Sequence, residues 1–154
     1  MKIRSDHGAS AIEFALILPV LMLLTFGIIE FGVLLFDKAV ITNASREGAR
    51  FGIVFVADLD GDGIPDRKDE TTIESVITGY ANDLLINLGS EVDNLSPGDI
   101  ETTWTTNANG DTDLTVTVRF TYDFLVLPNL SSLVEGSFAT LNIPLVGQTI
   151  MRME

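Results

Sequence analysis

Residues 14–36 read FALILPVLMLLTFGIIEFGVLLF, an apolar run broken by one charge, Glu30, and one proline, Pro19. Its 23 positions, wound as an α-helix, are long enough to cross a bilayer core of about 30 Å. A removable export signal would carry a shorter apolar region, roughly 7–15 residues, ending in a small-residue cleavage site. This stretch meets neither condition, so it is read as a membrane-spanning helix. Lys2 and Arg4 precede it and no further Lys or Arg occurs until Lys38. That asymmetry places the N-terminus in the cytoplasm and everything beyond about residue 38 on the far side of the membrane.

Helical signals continue through DKAVITNASREGAR, residues 37–50, where Val40, Ile41, Ala44 and Ala49 keep compatible spacings. A single rod from about residue 11 to 50 would measure roughly 60 Å, half of it clear of the lipid. Pro19 removes one backbone donor and is expected to kink or loosen that rod. Arg46, Glu47 and Arg50 form a polar face, read as solvated.

The remaining 100 or so residues make one small domain at most. With 22 acidic against 9 basic residues the net charge is −13, which disfavours nucleic acid as a partner. The chain has no cysteine, so thiol chemistry and disulfides are excluded. Its one histidine, His7, lies ahead of the apolar run, and no nucleophile–base set is visible elsewhere. An enzyme is not expected.

Two strings carry a resemblance. Residues 8–16, GASAIEFAL, are similar to the type IV pilin-like precursors, in which a short basic leader ends in Gly before the apolar helix. The resemblance implies cleavage between Gly8 and Ala9 by a prepilin peptidase, making residues 1–8 a leader. It also implies a role for Glu13, the fifth residue counted from Ala9, in meeting the N-terminal amine of a neighbouring subunit. A carboxylate near lipid is costly unless paired, which suits that role. Residues 26–32, FGIIEFG, followed by residues 41–50, ITNASREGAR, resemble the TadE-type pseudopilins of tight-adherence pilus systems, and the ending IMRME is similar too. That family implies pilin-like partner subunits, a pilus assembly machinery, residence in the inner membrane before assembly, and an outer domain that is periplasmic or on an extracellular filament. Glu30 is read as a second assembly residue, on one stripe with Glu13 and facing partner helices. A non-polymerising, membrane-anchored calcium-binding adhesion module is the alternative.

Residues 58–69, DLDGDGIPDRKD, place carboxylates at positions 1, 3, 5, 9 and 12 of a loop with Gly63 at position 6. Calcium takes six to eight oxygens at flexible distances, and this register converges them on one centre. The expected ligands of Ca2+ are Asp58, Asp60, Asp62, Asp66 and Asp69, with the backbone carbonyl of Ile64. The string resembles the thrombospondin type 3 calcium repeat and is close to dockerin and EF-hand loops. Asp69 stands where an EF-hand has a bidentate Glu, which suits the weaker binding, about 10⁻⁴–10⁻³ M, of extracellular modules.

Beyond this loop, Thr71 and Thr72 are read as capping a helix through about Leu88, with Ile73, Val76, Ile77, Tyr80, Ala81, Leu84, Leu85 and Leu88 on one face and Gly89 as its stop. Strands are expected at about 99–106 and 113–126 around a turn at 107–111, with a third over 138–151 made an edge by Pro144. In the second strand Leu114, Val116, Val118, Phe120, Tyr122 and Phe124 share a face that should cover the amphipathic helix. Trp104 is read as a hairpin-packing residue. The expected architecture is α+β: a helix over 9–52 (membrane span 14–36), a calcium loop over 53–70, and an extracytoplasmic domain over 71–154.

Overall fold

A computed structural model describes residues 6–54, 66–86, 88, 94–108, 110–125 and 142–153. The apolar run and the helical continuation after it form one helix, α1 (Asp6–Gly52), 47 residues and about 70 Å long. It is helical straight through Pro19. The rod is longer than the sequence reading at both ends, because nothing between residues 6 and 52 stops it.

The second helix, α2 (Glu70–Asn82), starts one residue earlier than its expected caps and stops about six residues sooner. Asp69, not Thr71 or Thr72, is the N-cap. Its carboxylate accepts the Thr72 N–H at 3.1 Å, and the two threonine hydroxyls donate back to it. Three donors on one carboxylate hold Asp69 well down, at about 2, the Thr71 hydroxyl contributing most. At the other end Asn82 stops the helix by turning its amide onto Leu95: Oδ1 accepts the Leu95 N–H at 2.7 Å and Nδ2 donates to the Leu95 carbonyl at 3.3 Å. Those bonds compete with helical continuation and hold Leu95 against the end of α2.

A single 3₁₀ turn, residues 97–99, leads into three antiparallel strands, β1 (Ile100–Thr106), β2 (Thr112–Asp123) and β3 (Asn142–Arg152), in the order β1-β2-β3. The β1–β2 turn uses Gly110 at a φ of 90°, and the Asn107 and Asp111 backbones close it. Arg152 reaches from β3 to Asp113 at 3.0 Å and to Asp111 at 3.4 Å, tying the hairpin end to the last strand. Pro144 sits on β3, an edge strand, where a missing donor is tolerated.

All six residues of the expected apolar face of β2, Leu114 to Phe124, are buried. They cover α1, however, and not primarily α2. The C-terminal half of α1 is the centre of the domain, with β2 and β3 on one side and α2 on another. The reason is a stripe along α1 at 3/4 spacing, Leu34, Asp37, Ile41, Ala44, Ser45, Gly48 and Gly52, wider and smaller in side-chain volume than anything α2 offers. Gly48 lies under Ile77 and Ile73 of α2, and Gly52 lies where Leu114 of β2 and Ile73 of α2 meet. On the sheet side, Gly147 of β3 lies against the α1 backbone: a Cβ there would stand 2.6 Å from the Ile41 carbonyl oxygen. Backbone cannot yield as a side-chain tip can.

Gly147→Ala is therefore expected to destabilise the domain by about 1–3 kcal/mol, the usual cost of overpacking. Gly79→Ala on α2, which meets nothing within 4 Å, should be neutral or mildly stabilising. Thermal unfolding of both variants, followed by circular dichroism of the full chain in detergent, checks the contrast.

Candidate functional site

Two regions hold the residues to which the sequence assigns chemistry: α1 and the acidic loop. On α1, burial changes abruptly. Residues 8–29 are exposed or half-buried, including Ile12, Phe14, Leu16, Ile17, Leu24 and Ile28 at half or more of their full exposure. From Glu30 onward one face is covered by the domain. The bare part spans 22 positions, about 33 Å, and the apolar helix has a mean hydropathy of 2.5 in its most apolar window with none of that window covered by protein. By length and composition this helix can cross a membrane.

Glu30 marks the boundary. It is 1 % exposed, and its carboxylate accepts the backbone N–H of Leu125, just past the end of β2. The Tyr122 hydroxyl lies 3.5 Å from the Glu30 carbonyl oxygen. About two turns further along, Asp37 is fully buried; its Oδ1 accepts the Ile86 N–H at 3.0 Å and its Oδ2 meets no donor. Tyr122, lying in the field of both acids, is pushed up to about 12, mainly by burial and then by Glu30 and Asp37. In the sequence Asp37 stands as the first residue of the helical continuation, residues 37–50, with no role assigned to it. Its signal was positional: Glu30, Asp37 and Ala44 are seven apart, hence on one face, and that face is the domain's core.

The placement of Glu13 with Glu30 on one stripe is corrected by geometry. Seventeen residues fall one short of five turns, which sets the two about 100° apart around the helix. Accordingly Glu13 is exposed on the bare half while Glu30 is enclosed by its own domain. Gly8 and Ala9 are helical and exposed. Arg46, Glu47 and Arg50 are exposed on the outer face of α1.

Of the expected calcium ligands, Asp58, Asp60, Asp62 and Ile64 lie outside the described residues; Asp66 and Asp69 are within them. Among the described residues there is no group of three or more His, Cys, Asp or Glu that could hold a metal ion. The exit of the loop is tied down firmly. The Arg67 guanidinium stands 5.1 Å over the half-buried Trp104 ring, the Lys68 amine 3.4 Å over Phe51 of α1, and Glu70 accepts from Thr102 of β1 at 2.7 Å. Asp69 is spent largely on capping, three of its roughly four acceptor positions being taken.

Compared with known proteins, residues 8–50 match the family described as TadE-like protein. The matched stretch is the bare helix together with most of the stripe on which the domain packs. No curated protein and no solved structure matches the chain.

The enclosed geometry of Glu30 makes a prediction. Glu30→Ala leaves the Leu125 N–H without its acceptor in a part-buried site and should cost about 1–3 kcal/mol, whereas Glu30→Gln keeps an acceptor oxygen and should cost less than half as much. Urea unfolding of the two variants in detergent, read by Trp104 fluorescence, distinguishes them.

Proposed function

We propose that the protein is a pilin-like subunit of a tight-adherence-type pilus, a structural component and not an enzyme. The observation that carries this reading is the division of one continuous helix: a bare, largely apolar stretch of 22 residues and bilayer length, then a second half that is the core of a folded domain. The match of residues 8–50 to the TadE-like family supports the pilus setting. In this reading residues 8–29 lie in lipid or in a bundle of like helices, the N-terminus faces the cytoplasm, and the α+β domain stands outside the inner membrane. The fold's cover begins at Glu30, so the lipid-facing stretch ends about six residues before the end of the apolar run at Phe36.

Processing follows the pilin pattern, with a prepilin peptidase cutting between Gly8 and Ala9. Glu13, the one charged residue of the bare stretch, then pairs with the new amine of an adjoining subunit. Glu30, by contrast, contributes through its own domain's attachment to the helix. The protein recovered from membranes and from sheared extracellular material, analysed by intact mass and N-terminal sequencing, should start at Ala9 in both, and replacing Gly8 should block the cut. A chain that still begins at Met1 in both fractions would instead make it a non-polymerising anchored module.

The loop at residues 58–69 is proposed to hold Ca2+ as a structural ion. Support comes from the register of its carboxylates and from the anchoring of residues 67–70 on α1, β1 and α2, which spares the ion part of the cost of ordering the loop. Asp69 contributes one free acceptor position at most, consistent with weak, extracellular-type affinity. Calcium at millimolar concentration should raise the melting temperature of the wild-type chain, and joint replacement of Asp60 and Asp62 by Asn should abolish that rise. Asp69→Asn, which keeps an N-cap, should match the wild type in chelator, and Asp69→Ala should melt lower there. A calcium-induced rise that survives in the double variant would refute the assignment.

A further inference from the structure

The buried acid that neither processing nor calcium explains is Asp37. It is inaccessible to solvent, lies seven residues after Glu30 on the same face of α1, and leaves one carboxylate oxygen without a donor. Its other oxygen holds the Ile86 N–H, the bond that ties the turn after α2, residues 83–86, to α1 from 49 residues away. Leu85 beside it is buried in the core, so the same turn is held by one apolar plug and one carboxylate. We propose that Asp37 is a proton-controlled latch: protonated, it seats the turn after α2 on α1, and ionised, it loosens that seat.

The physical argument begins with the cost of an unpaired oxygen. A buried carboxylate oxygen that finds no donor costs more when it carries charge than when the group is neutral. Asp37 receives one backbone N–H, which favours the ionised form, against full removal from water, which disfavours it. Burial is the larger effect and pushes the carboxyl up to about 6, the Ile86 N–H pulling the other way.

Its surroundings give the charge no relief. From α1 the chargeable neighbours are Glu30, of like sign, and Lys38, whose amine is turned onto the Val146 carbonyl of β3. From β2 comes the Tyr122 hydroxyl, itself held neutral by burial and then by the two acids. The nearest acid of α2, its C-cap Asp83, is exposed, as is Tyr80. No cation among these described residues is directed at Asp37.

The sign follows. Opening the turn returns Asp37 to water, where its ordinary value is 3.8, so the seated form binds the proton more tightly than the open one. The seat is fully secured below about pH 4 and is lost as pH rises through about 6, where the carboxylate is charged in both forms. A displacement of about two units corresponds to roughly a hundredfold change in the opening equilibrium. Seating of this turn would then be tighter in an acidified exterior than at neutral pH.

Hydrogen–deuterium exchange of the full chain in detergent micelles tests this, reading the peptide that covers residues 83–86 between pH 4.5 and 7.5, corrected for intrinsic exchange. Protection in the wild type should fall by one to two orders of magnitude across that range. Asp37→Asn, which keeps the Oδ1 acceptor for Ile86 and cannot ionise, should show constant high protection, and Glu30→Gln should keep the wild-type slope. A wild-type profile flat in pH would overturn the proposal whether or not the variants fold. So would a slope that persists in Asp37→Asn or disappears in Glu30→Gln, since the proton would then act elsewhere.

Discussion

Everything in this fold depends on one helix meeting two surroundings without a break. The N-terminal half of α1 carries apolar side chains all round and has no protein to cover them, while the C-terminal half confines its small and apolar residues to a stripe that the domain fills. A helix apolar on every side belongs in lipid or among other such helices, and one with a stripe belongs against a single partner surface. The change from one pattern to the other falls at Glu30. Because α1 stays helical from Asp6 to Gly52, through Pro19, the domain and the bare rod are mechanically one piece.

The small residues on the stripe decide how closely the layers approach. Gly48 and Gly52 admit α2, Gly147 admits α1 to the sheet, and Ser45 satisfies itself by bonding the Thr42 carbonyl and the Thr149 hydroxyl of β3. With α1 at the centre, sheet and second helix need not touch each other extensively. The exit of the acidic loop is fixed on this same framework by Phe51, Trp104 and Thr102.

At the junction between the bare and covered halves the domain buries three groups that can carry negative charge, Glu30, Asp37 and Tyr122. Two of them accept backbone N–H groups from chain segments that close over α1, at Leu125 and Ile86. A carboxylate is a strong acceptor for a backbone donor that would otherwise be orphaned, and it also brings a desolvation cost that an apolar residue would not. These acids thus seat the domain on the helix at the point where it emerges, and make that attachment sensitive to charge.

Much of this was legible in the residues themselves. Apolar runs and periods of 2 and 3.6 are local properties, so the long helix, the inner face of β2, the hairpin turn and the edge position of Pro144 could all be read before any contact was known. The similarity of residues 8–50 to the TadE-like family was likewise carried by short strings. What could not be read was choice among equivalents. Asp69, Thr71 and Thr72 are all competent caps, and only the approach of the chain from Arg67 and Lys68 decides among them. Asn82 stops α2 through Leu95, thirteen residues on, which no local signal announces. Two apolar faces were available to cover β2, and the closer backbone approach allowed by glycine settled it in favour of α1. The sequence alone determined that this chain has a bilayer-length helix and a small α+β domain, because hydrophobic period is a property of neighbours. Only the tertiary structure decided that Glu30 and Asp37 are enclosed by that domain, because burial of a charge depends on which distant segment closes over it.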